Sequence, residues 1–449
     1  MSDHHVQGIV DVAREQAGDA VRRSPFLRPS DTARLLKPLL WHEFELSRAA
    51  AGWVTAVKPY ETKLKLGRWT YVHIRHVEAL EKRLRELPGG LGEERSPAPI
   101  REAYERLASA PSTAAFLAGY ELFYRQVLAA CDRLLQQADP VLDAPTVDQL
   151  RIVLLDRGDI LAWLAEQQRF VGLDSAEAQR ADEWKAYAAG LWTALETASA
   201  AGQAPSFPPA PAYEPAGPIP AVPVMDEARF PPLESHAGPA TAYSDEGMSP
   251  LFHSVRQMVY INATEIAPAE TMTYLYYSVQ QMPLAFYYDF ARHMWDEFRH
   301  SEMGMRRLGQ YGYATTDFKW LRTSVLPEDS DARYADMYAW LTMVAEACSF
   351  AKKRKAVEAF WSFGDAMAAI QSEFDIVDER LHVDFGTKWG PELYKQIGDM
   401  VTPQVMAERA RKRRLEELQH VLPDEIDKLS RNFPAFCGFH TSKLEYGNY

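Results

Sequence analysis

The chain has 449 residues, 47% of them hydrophobic, so it is long enough to form more than one well-packed core. Its formal net charge of −13 and its pI near 5.5 argue against a nucleic-acid backbone as the main partner. Three scattered cysteines, no basic apolar leader and no apolar run of about 18 residues predict a cytoplasmic protein without a disulfide framework or a membrane span.

The first half of the chain is typical of amphipathic helices separated by turn signals. Apolar residues recur at helical spacing in five stretches, and Pro88-Gly89-Gly90 is a strong stop after the second. We expect residues 1–203 to form one helical domain. Its helices are predicted at Leu35 to Val57, Leu64 to Leu87, Thr113 to Gln137, Val147 to Phe170 and Ser175 to Ala201.

The composition changes between Pro205 and Pro239, where prolines are so frequent that a helix is improbable. Residues 204–250 are therefore predicted to be a proline-rich linker. We expect it to lie on the surface as an extended strap rather than to be free. Tyr213, Phe230 and Leu233 are the side chains that would hold it there.

The helical pattern returns in residues 251–449, which we expect to form the second domain. Almost nothing in the chain is typical of a strand, so the predicted fold class is all-α. The helices of this domain are predicted at Leu251 to Met282, Leu284 to Gly309, Ala332 to Phe363, Asp365 to Gly386 and Thr402 to Val421.

Two copies of one motif lie on separate helices of the second domain. Asp296-Glu297-Phe298-Arg299-His300 and Asp378-Glu379-Arg380-Leu381-His382 share the pattern Asp-Glu-x-x-His. The glutamate and the histidine of each copy lie three residues apart and share one helix face. In a four-helix dinuclear carboxylate site, two helices each give Glu-x-x-His and two others each give one glutamate. The pattern therefore predicts two further glutamates on neighbouring helices.

Matched spacings identify candidates for these two glutamates. The interval from Glu346 to Glu379 is nearly equal to the interval from Glu265 to Glu297. Ligands on antiparallel neighbours must lie at similar distances from the turn that joins them, so the near-equal spacings favour Glu346 and Glu265. Glu270, which lies closer to Glu297 along the chain, stays an alternative ligand.

With these motifs and spacings, the stretch from Leu251 to Gly386 resembles the ferritin-like dinuclear carboxylate superfamily. That superfamily includes ferritins, ribonucleotide reductase small subunits, bacterial multicomponent monooxygenases and arylamine N-oxygenases. The resemblance implies two iron ions, with manganese as an alternative, and six ligands: Glu265, Glu297, His300, Glu346, Glu379 and His382. It also implies that Asp296 and Asp378 each accept a hydrogen bond from the ligand histidine of the opposite motif.

The first half repeats these spacings with other residues. His73-x-x-His76, Glu121 and Asp156-x-x-Asp159 precede the corresponding second-half positions by a nearly constant offset, and Glu45 or Glu43 lies before them. One motif has thus become His-x-x-His and the other Asp-x-x-Asp. We interpret this half as a degenerate ferritin-like bundle that kept the fold and lost the full ligand set. Retained metal binding at His73, His76 and Glu121 is the less favoured hypothesis.

Carboxylates and imidazoles suit iron(II), and open coordination positions on two reduced irons let dioxygen bind. The predicted function is a dinuclear non-haem iron oxidase or oxygenase that acts on a small organic molecule. Neither a nucleic acid nor a membrane is an expected partner, the electron donor is not identified, and amphipathic helices outside the bundles are consistent with a homodimer. Ferroxidase or iron handling, a non-catalytic ferritin-like protein, a tRNA-hydroxylase-like enzyme and a manganese catalase-like enzyme are the alternatives. The length argues against iron storage, and the acidic balance argues against tRNA.

Overall fold

The computed structural model describes residues 27–92, 95–171, 175–232, 262–318, 320, 333–347, 349–362 and 364–419. These ranges are helices joined by turns and loops and hold no named strand, which confirms the predicted all-α fold. Their only β contact is an isolated bridge between Pro232 and Trp320. Within the same ranges, no helix has the length and apolar character needed to cross a bilayer.

Seven α-helices make up the described first half. They are α1 (Pro29–Val54), α2 (Tyr60–Glu86), α3 (Ala98–Ala108), α4 (Thr113–Gln137), α5 (Ala144–Leu155), α6 (Arg157–Val171) and α7 (Ser175–Ala201). The chain leaves α2 at the predicted stop, where Gly89 and Gly90 have φ values of +82° and +45° that other residues rarely adopt. Ser112 caps α4, because its side chain accepts a hydrogen bond from the Ala115 amide at 3.2 Å.

Two helices of this half begin and end at the predicted residues, namely α4 and α7. Helices α1 and α2 begin six and four residues before the predicted Leu35 and Leu64, and α1 ends at Val54 rather than at Val57. Helix α3 was not predicted, although Ala103, Tyr104 and Leu107 give it a buried apolar face at helical spacing. The helix predicted from Val147 to Phe170 is instead two helices, α5 and α6, separated at Asp156. This break leaves the Asp156 carboxylate free to contact His76 on α2.

The described second half begins with a 3₁₀ turn and continues with helices. The elements are the 3₁₀ turn Ala263–Glu265, α8 (Ile266–Ser278), α9 (Leu284–Gln310), a second 3₁₀ turn (Thr315–Asp317), α10 (Arg333–Trp340), a π-helical stretch (Leu341–Glu346), α11 (Phe350–Ser362), α12 (Ala366–Gln396) and α13 (Pro403–Gln419). Pro268 lies in the first turn of α8, where its missing N–H costs nothing. The predicted helix start at Leu251 lies outside the described residues.

Three other predicted boundaries in this half differ from the structure. Helix α8 ends at Ser278 rather than at Met282. The helix expected from Ala332 to Phe363 is divided into α10, the π-helical stretch and α11. Helix α12 continues to Gln396, beyond the predicted end at Gly386. Asp365 begins α12 with a side-chain cap that accepts the Ala368 amide at 3.1 Å.

The two halves share one hydrophobic core, because α1 and α2 pack against α8 and α9. A Cβ on Gly67 of α2 would lie 2.2 Å from the Phe298 ring of α9, so any larger residue there would have to displace that ring. Nearby, the hydroxyls of Tyr60 and Ser301 form a buried hydrogen bond of 2.9 Å. Side chains of the first half therefore reach the part of α9 that carries the first Asp-Glu-x-x-His motif.

The proline-rich segment lies against both halves, as far as the structure describes it, to residue 232. The Ile219 amide donates to the Gly52 carbonyl at 2.9 Å, and the Tyr213 hydroxyl donates to Glu183 at 2.7 Å. The Phe230 ring packs edge-on against Trp320, with centroids 5.3 Å apart. Leu233, the third predicted contact, lies outside the described residues.

Candidate metal centre

The side chains of both Asp-Glu-x-x-His motifs converge in the interior of the second half. Helix α9 carries Glu297 and His300, and α12 carries Glu379 and His382. These two helices pack against each other, so that one face of each supplies donors to a common space. All four side chains are buried. A metal could therefore be enclosed between α9 and α12.

The two single glutamates come from irregular helical elements. Glu265 ends the 3₁₀ turn before α8, and Glu346 ends the π-helical stretch after α10. A π-helical turn inserts an extra residue relative to an α-helix and thereby changes which side chains face the bundle, and such turns are frequent at functional sites. The structure brings both residues to the motif side chains.

One group of four donors contains residues of both motifs and of the π-helical stretch. It consists of His293, Glu297, Glu346 and His382, all buried, with one donor atom of each within 4.8 Å of the others. The His382 Nδ1 atom lies 3.4 Å from Glu297 and 3.5 Å from Glu346, while the His293 Nε2 atom lies 2.8 Å from Glu346. These separations are of the order found between ligands of one metal ion, since each ligand atom lies about 2.0–2.2 Å from the metal.

A second group of donors consists of Glu265, Glu297 and His300. The His300 Nδ1 atom lies 3.3 Å from the nearer Glu265 oxygen. Glu297 belongs to both groups, so its carboxylate lies where it would connect two adjacent metal positions. A carboxylate shared in this way is the bridging ligand of a dinuclear centre.

Several donor atoms in these groups have no hydrogen-bond partner, although they are buried. They include Glu297 Oε1, Glu346 Oε2, His300 Nδ1 and His382 Nδ1. Buried polar atoms without partners are costly, and native proteins rarely keep them. The unsatisfied atoms are those that a metal would bind, so the residues present fit metal ions at both positions.

Each motif histidine is also held by an aspartate of the opposite motif. His300 Nε2 lies 3.2 Å from Asp378, and His382 Nε2 lies 3.3 Å from Asp296. These are the cross-motif contacts that the sequence predicts. In metal sites such a carboxylate fixes the tautomer and orientation of the histidine and makes its other nitrogen a better ligand.

A third group of carboxylates contains Glu265, Asp375 and Glu379, and a lysine lies among them. The Lys353 ammonium donates to Asp375 at 2.7 Å and to Glu379, and it lies 3.6 Å from Glu265. Its side chain is only 5% exposed. The ammonium therefore supplies positive charge at this third position. Glu379, one of the six predicted ligands, lies in this group and in neither of the other two.

The charges of the centre do not balance when its histidines are neutral. Three cationic side chains, Arg292, Arg299 and Lys353, pair with its carboxylates. With seven carboxylates and three cations, the centre has a net charge of −4, which two divalent cations would balance. The seven carboxylates are Glu265, Asp296, Glu297, Glu346, Asp375, Asp378 and Glu379.

The pKa shifts indicate which groups would take up protons and so reduce the net negative charge when no metal is bound. Burial raises the pKa of Glu379 well above its ordinary value and that of Glu265 to about 7, although Lys353 opposes both shifts. Burial would lower the pKa of His300, but Asp375 and neighbouring carboxylates raise it well above 6.5. Asp378, beside His300 and Arg299, has its pKa lowered to about 2 in spite of burial.

Glu270, the alternative to Glu265, lies outside the three donor groups. Its carboxylate accepts a hydrogen bond of 2.5 Å from Lys63 of α2. Among the two candidates, the structure therefore brings Glu265 to the centre and directs Glu270 to the other half of the protein.

Three buried residues of the centre were not predicted from the sequence, and each follows a helical repeat. His293 lies four residues before Glu297, and Asp375 lies four residues before Glu379, so each extends its motif by one turn on the same face. Lys353 lies seven residues after Glu346, which is about two turns. Extending both motifs upstream by one turn would have identified the first two residues.

In the first half, only part of the predicted equivalent set comes together. Glu43, His73 and His76 form a buried group of donors. Glu45 and Glu121 instead pair with arginines on their own helices. Of the two predicted positions before His73, the structure thus selects Glu43.

The fold and the centre define an all-α protein with a buried cluster of carboxylates and histidines that could hold metal. The chain belongs to the family described as "Protein of unknown function (DUF455)", which matches residues 190–425. No curated protein and no solved structure was found to match the chain. The matched range includes every donor of the second half and none of the first.

Proposed function

We propose that the second half binds a ferritin-like dinuclear iron centre and uses it to oxidise a small organic molecule with dioxygen. The observation that carries the proposal is Glu297, a buried carboxylate shared by two groups of donors. Each of these groups contains one histidine from an Asp-Glu-x-x-His motif. Mixed carboxylate and imidazole ligands suit iron, which supplies the redox chemistry when it is bound.

The excess of four negative charges supports two divalent ions rather than one. A single ion would leave two charges to be met by protons on buried carboxylates or histidines. Lys353 supports the same number, because its ammonium lies among Glu265, Asp375 and Glu379 and occupies the place that a third metal ion would take. The centre is thus compensated at three neighbouring positions, by one ammonium and two metal ions.

The surrounding residues keep the donors in place. Asp378 and Asp296 hold His300 and His382 by their Nε2 atoms, so that the Nδ1 atoms face the centre. Arg299 also pairs with both aspartates, which prevents these carboxylates from turning towards the metals.

A pocket beside the centre supports a small substrate. Thr264 and Ile266, which flank Glu265, form one wall, and the strap residues Val222 and Met225 form another. The remaining lining combines aromatic rings with charged side chains, among them the ion pairs of Lys63 with Glu270 and of Lys58 with Asp226. Apolar walls with a few polar groups are typical of sites for small organic molecules. We therefore expect the substrate to approach the Glu265 side of the centre.

Iron content and oxygen uptake test the proposal. The metal-free chain is reconstituted anaerobically with iron(II), freed of unbound iron and mixed with oxygenated buffer in an oxygen electrode. The Glu297→Ala variant should bind about two irons fewer per chain than the wild type and should lose rapid oxygen uptake. The Glu121→Ala variant should match the wild type, since Glu121 contributes to none of the donor groups.

Other outcomes would contradict the proposal in distinct ways. Equal iron content in Glu297→Ala and the wild type would exclude a centre at these residues. Retention of many more irons after oxygen exposure would favour iron handling. Binding of manganese alone, with disproportionation of peroxide, would favour a catalase-like enzyme.

A further inference from the structure

The first half contains a second buried group of metal-binding side chains. It is formed by Glu43 of α1 and by His73 and His76 of α2, none of them more than 1% exposed. The Glu43 Oε2 atom lies 2.6 Å from His73 Nδ1 and 3.0 Å from His76 Nδ1. Three potential ligand atoms, two imidazole nitrogens and one carboxylate oxygen, therefore meet at one point.

The outer nitrogens of both histidines have partners of their own. The Tyr120 hydroxyl lies 2.7 Å from His73 Nε2, and the Asp156 carboxylate lies 3.3 Å from His76 Nε2. This is the arrangement found around metal-binding histidines, whose second nitrogen contacts a carboxylate or another polar group that fixes the ring. Both rings are thus held with Nδ1 directed at Glu43.

The arrangement requires a positive charge near His76. Both of its ring nitrogens face carboxylate oxygens, and a neutral imidazole can donate a proton to only one of them. Either a second proton or a metal must therefore lie at one of these two contacts, and a metal bound by Glu43 would lie at the Nδ1 contact. In addition, Glu43 Oε1 is buried without a hydrogen-bond partner. The hydroxyl of Tyr124, whose ring packs against His73 at 5.3 Å, also lacks one.

We propose that Glu43, His73 and His76 bind one divalent first-row transition metal, separately from the centre of the second half. Two histidines and one carboxylate form a ligand set that binds iron(II), cobalt(II) or zinc(II). Asp156 orients His76 and is not a ligand. Three protein ligands leave coordination positions open, which is the arrangement of reactive rather than purely structural metal sites.

This site is independent of the proposed oxidase function. It lies outside residues 190–425, the range that matches the family, and shares no donor with the second half. It also changes the interpretation of the first half as a degenerate bundle. On this proposal, the first half binds one metal ion instead of the two that a complete dinuclear ligand set would bind. A fully loaded chain then holds three metal ions, two in the second half and one in the first.

Cobalt binding to the full-length Glu297→Ala variant tests the site. This substitution removes the carboxylate shared by both metal positions of the second half and also lowers the excess negative charge there. The metal-free variant is dialysed against cobalt(II), and cobalt is counted by mass spectrometry and by its visible absorption. We expect one cobalt per chain, and none after the additional substitution His73→Ala.

The matched control is His42→Ala in the same background. His42 is a buried histidine next to Glu43, but its Nδ1 contacts Tyr104 at 3.2 Å, outside the donor group. This variant should keep one cobalt per chain. Circular dichroism confirms that each variant is folded.

Tyr120→Phe provides a second test that does not disturb the ligands. Loss of its contact with His73 should weaken cobalt binding by about 10-fold or more, as removal of such supporting groups does. Absence of cobalt from the folded Glu297→Ala chain would overturn the proposal. So would unchanged cobalt content in the folded His73→Ala chain or, should that chain not fold, an unchanged cobalt affinity in Tyr120→Phe.

Discussion

The substitution Lys353→Met removes a buried ammonium from the carboxylates of the second half. The ammonium contacts Asp375 at 2.7 Å and Glu379, and it lies 3.6 Å from Glu265. Methionine has a similar length and is apolar, so packing along the side chain should change little. The main effect is therefore the loss of one positive charge from a site that already has too few.

The structure gives the order of this effect. At about 3 Å and an effective dielectric constant of about 20, one ion pair has a Coulomb energy of about 5 kcal/mol. The cost of removing the ammonium from water offsets part of this energy. Removing one partner of a buried pair usually costs about 3–5 kcal/mol, because the other charge stays buried without compensation. We expect this loss in the unfolding free energy of the metal-free protein, measured by urea denaturation with a chelator present.

A divalent metal should restore much of the lost stability. Glu265, Asp375 and Glu379 form a donor group that becomes available once the ammonium is gone. A ligand that binds only the folded state stabilises it by about 2.7 kcal/mol at 100 times its dissociation constant. Manganese(II) at such a concentration should therefore stabilise Lys353→Met more than it stabilises the wild type.

Lys388→Met is the matched control. The Lys388 ammonium is also 2.7 Å from a carboxylate, that of Asp289, but its side chain is 55% exposed. Surface pairs of this kind contribute about 0–1 kcal/mol. If Lys353→Met lowered the unfolding free energy by no more than Lys388→Met does, the ammonium would not be compensating the buried carboxylates. The role of Lys353 as the cation of the Glu265, Asp375 and Glu379 group would then be refuted.

Three further substitutions test the centre and its support. Glu346→Ala should lower metal content in the second half with the helical circular dichroism retained, while Glu121→Ala leaves the metal content unchanged. Asp378→Asn should weaken metal binding by about 10- to 100-fold in a metal titration, because it removes the carboxylate that orients His300. Gly67→Ala should displace Phe298, lower the urea midpoint by an amount corresponding to about 1–3 kcal/mol and reduce metal affinity. Unchanged affinity in Gly67→Ala would show that the first half does not support the centre.

Helical periodicity was enough to predict the fold class and much of the centre. It gave the bounds of α4 and α7, because both helices are long, regular and ended by clear signals. The matched spacings of Glu265 and Glu346 selected two residues that the structure brings together with the motif residues. The ligand roles of these side chains stay predictions, which the metal content of Glu297→Ala and Glu346→Ala tests.

Other features depend on tertiary contacts that no sequence period reveals. The π-helical stretch before Glu346 changes the helical register without any marker residue, and the break at Asp156 interrupts a continuous apolar pattern. Lys353 resembles the other residues of a basic run, Lys352 to Lys355, which the pattern favours as solvated. Its burial is decided by the carboxylates of α12, which lie opposite it only after the helices have packed.

The first half supports the centre, because residues of α9 that contact α2 lie next to the donor residues of the same helix. Phe298, which follows Glu297, fills the space left by Gly67. Ser301, which follows His300, bonds to Tyr60. Each donor of this motif is therefore adjacent to a residue fixed by α2. The second half therefore requires the first, because packing against α2 determines where the Glu297 carboxylate lies.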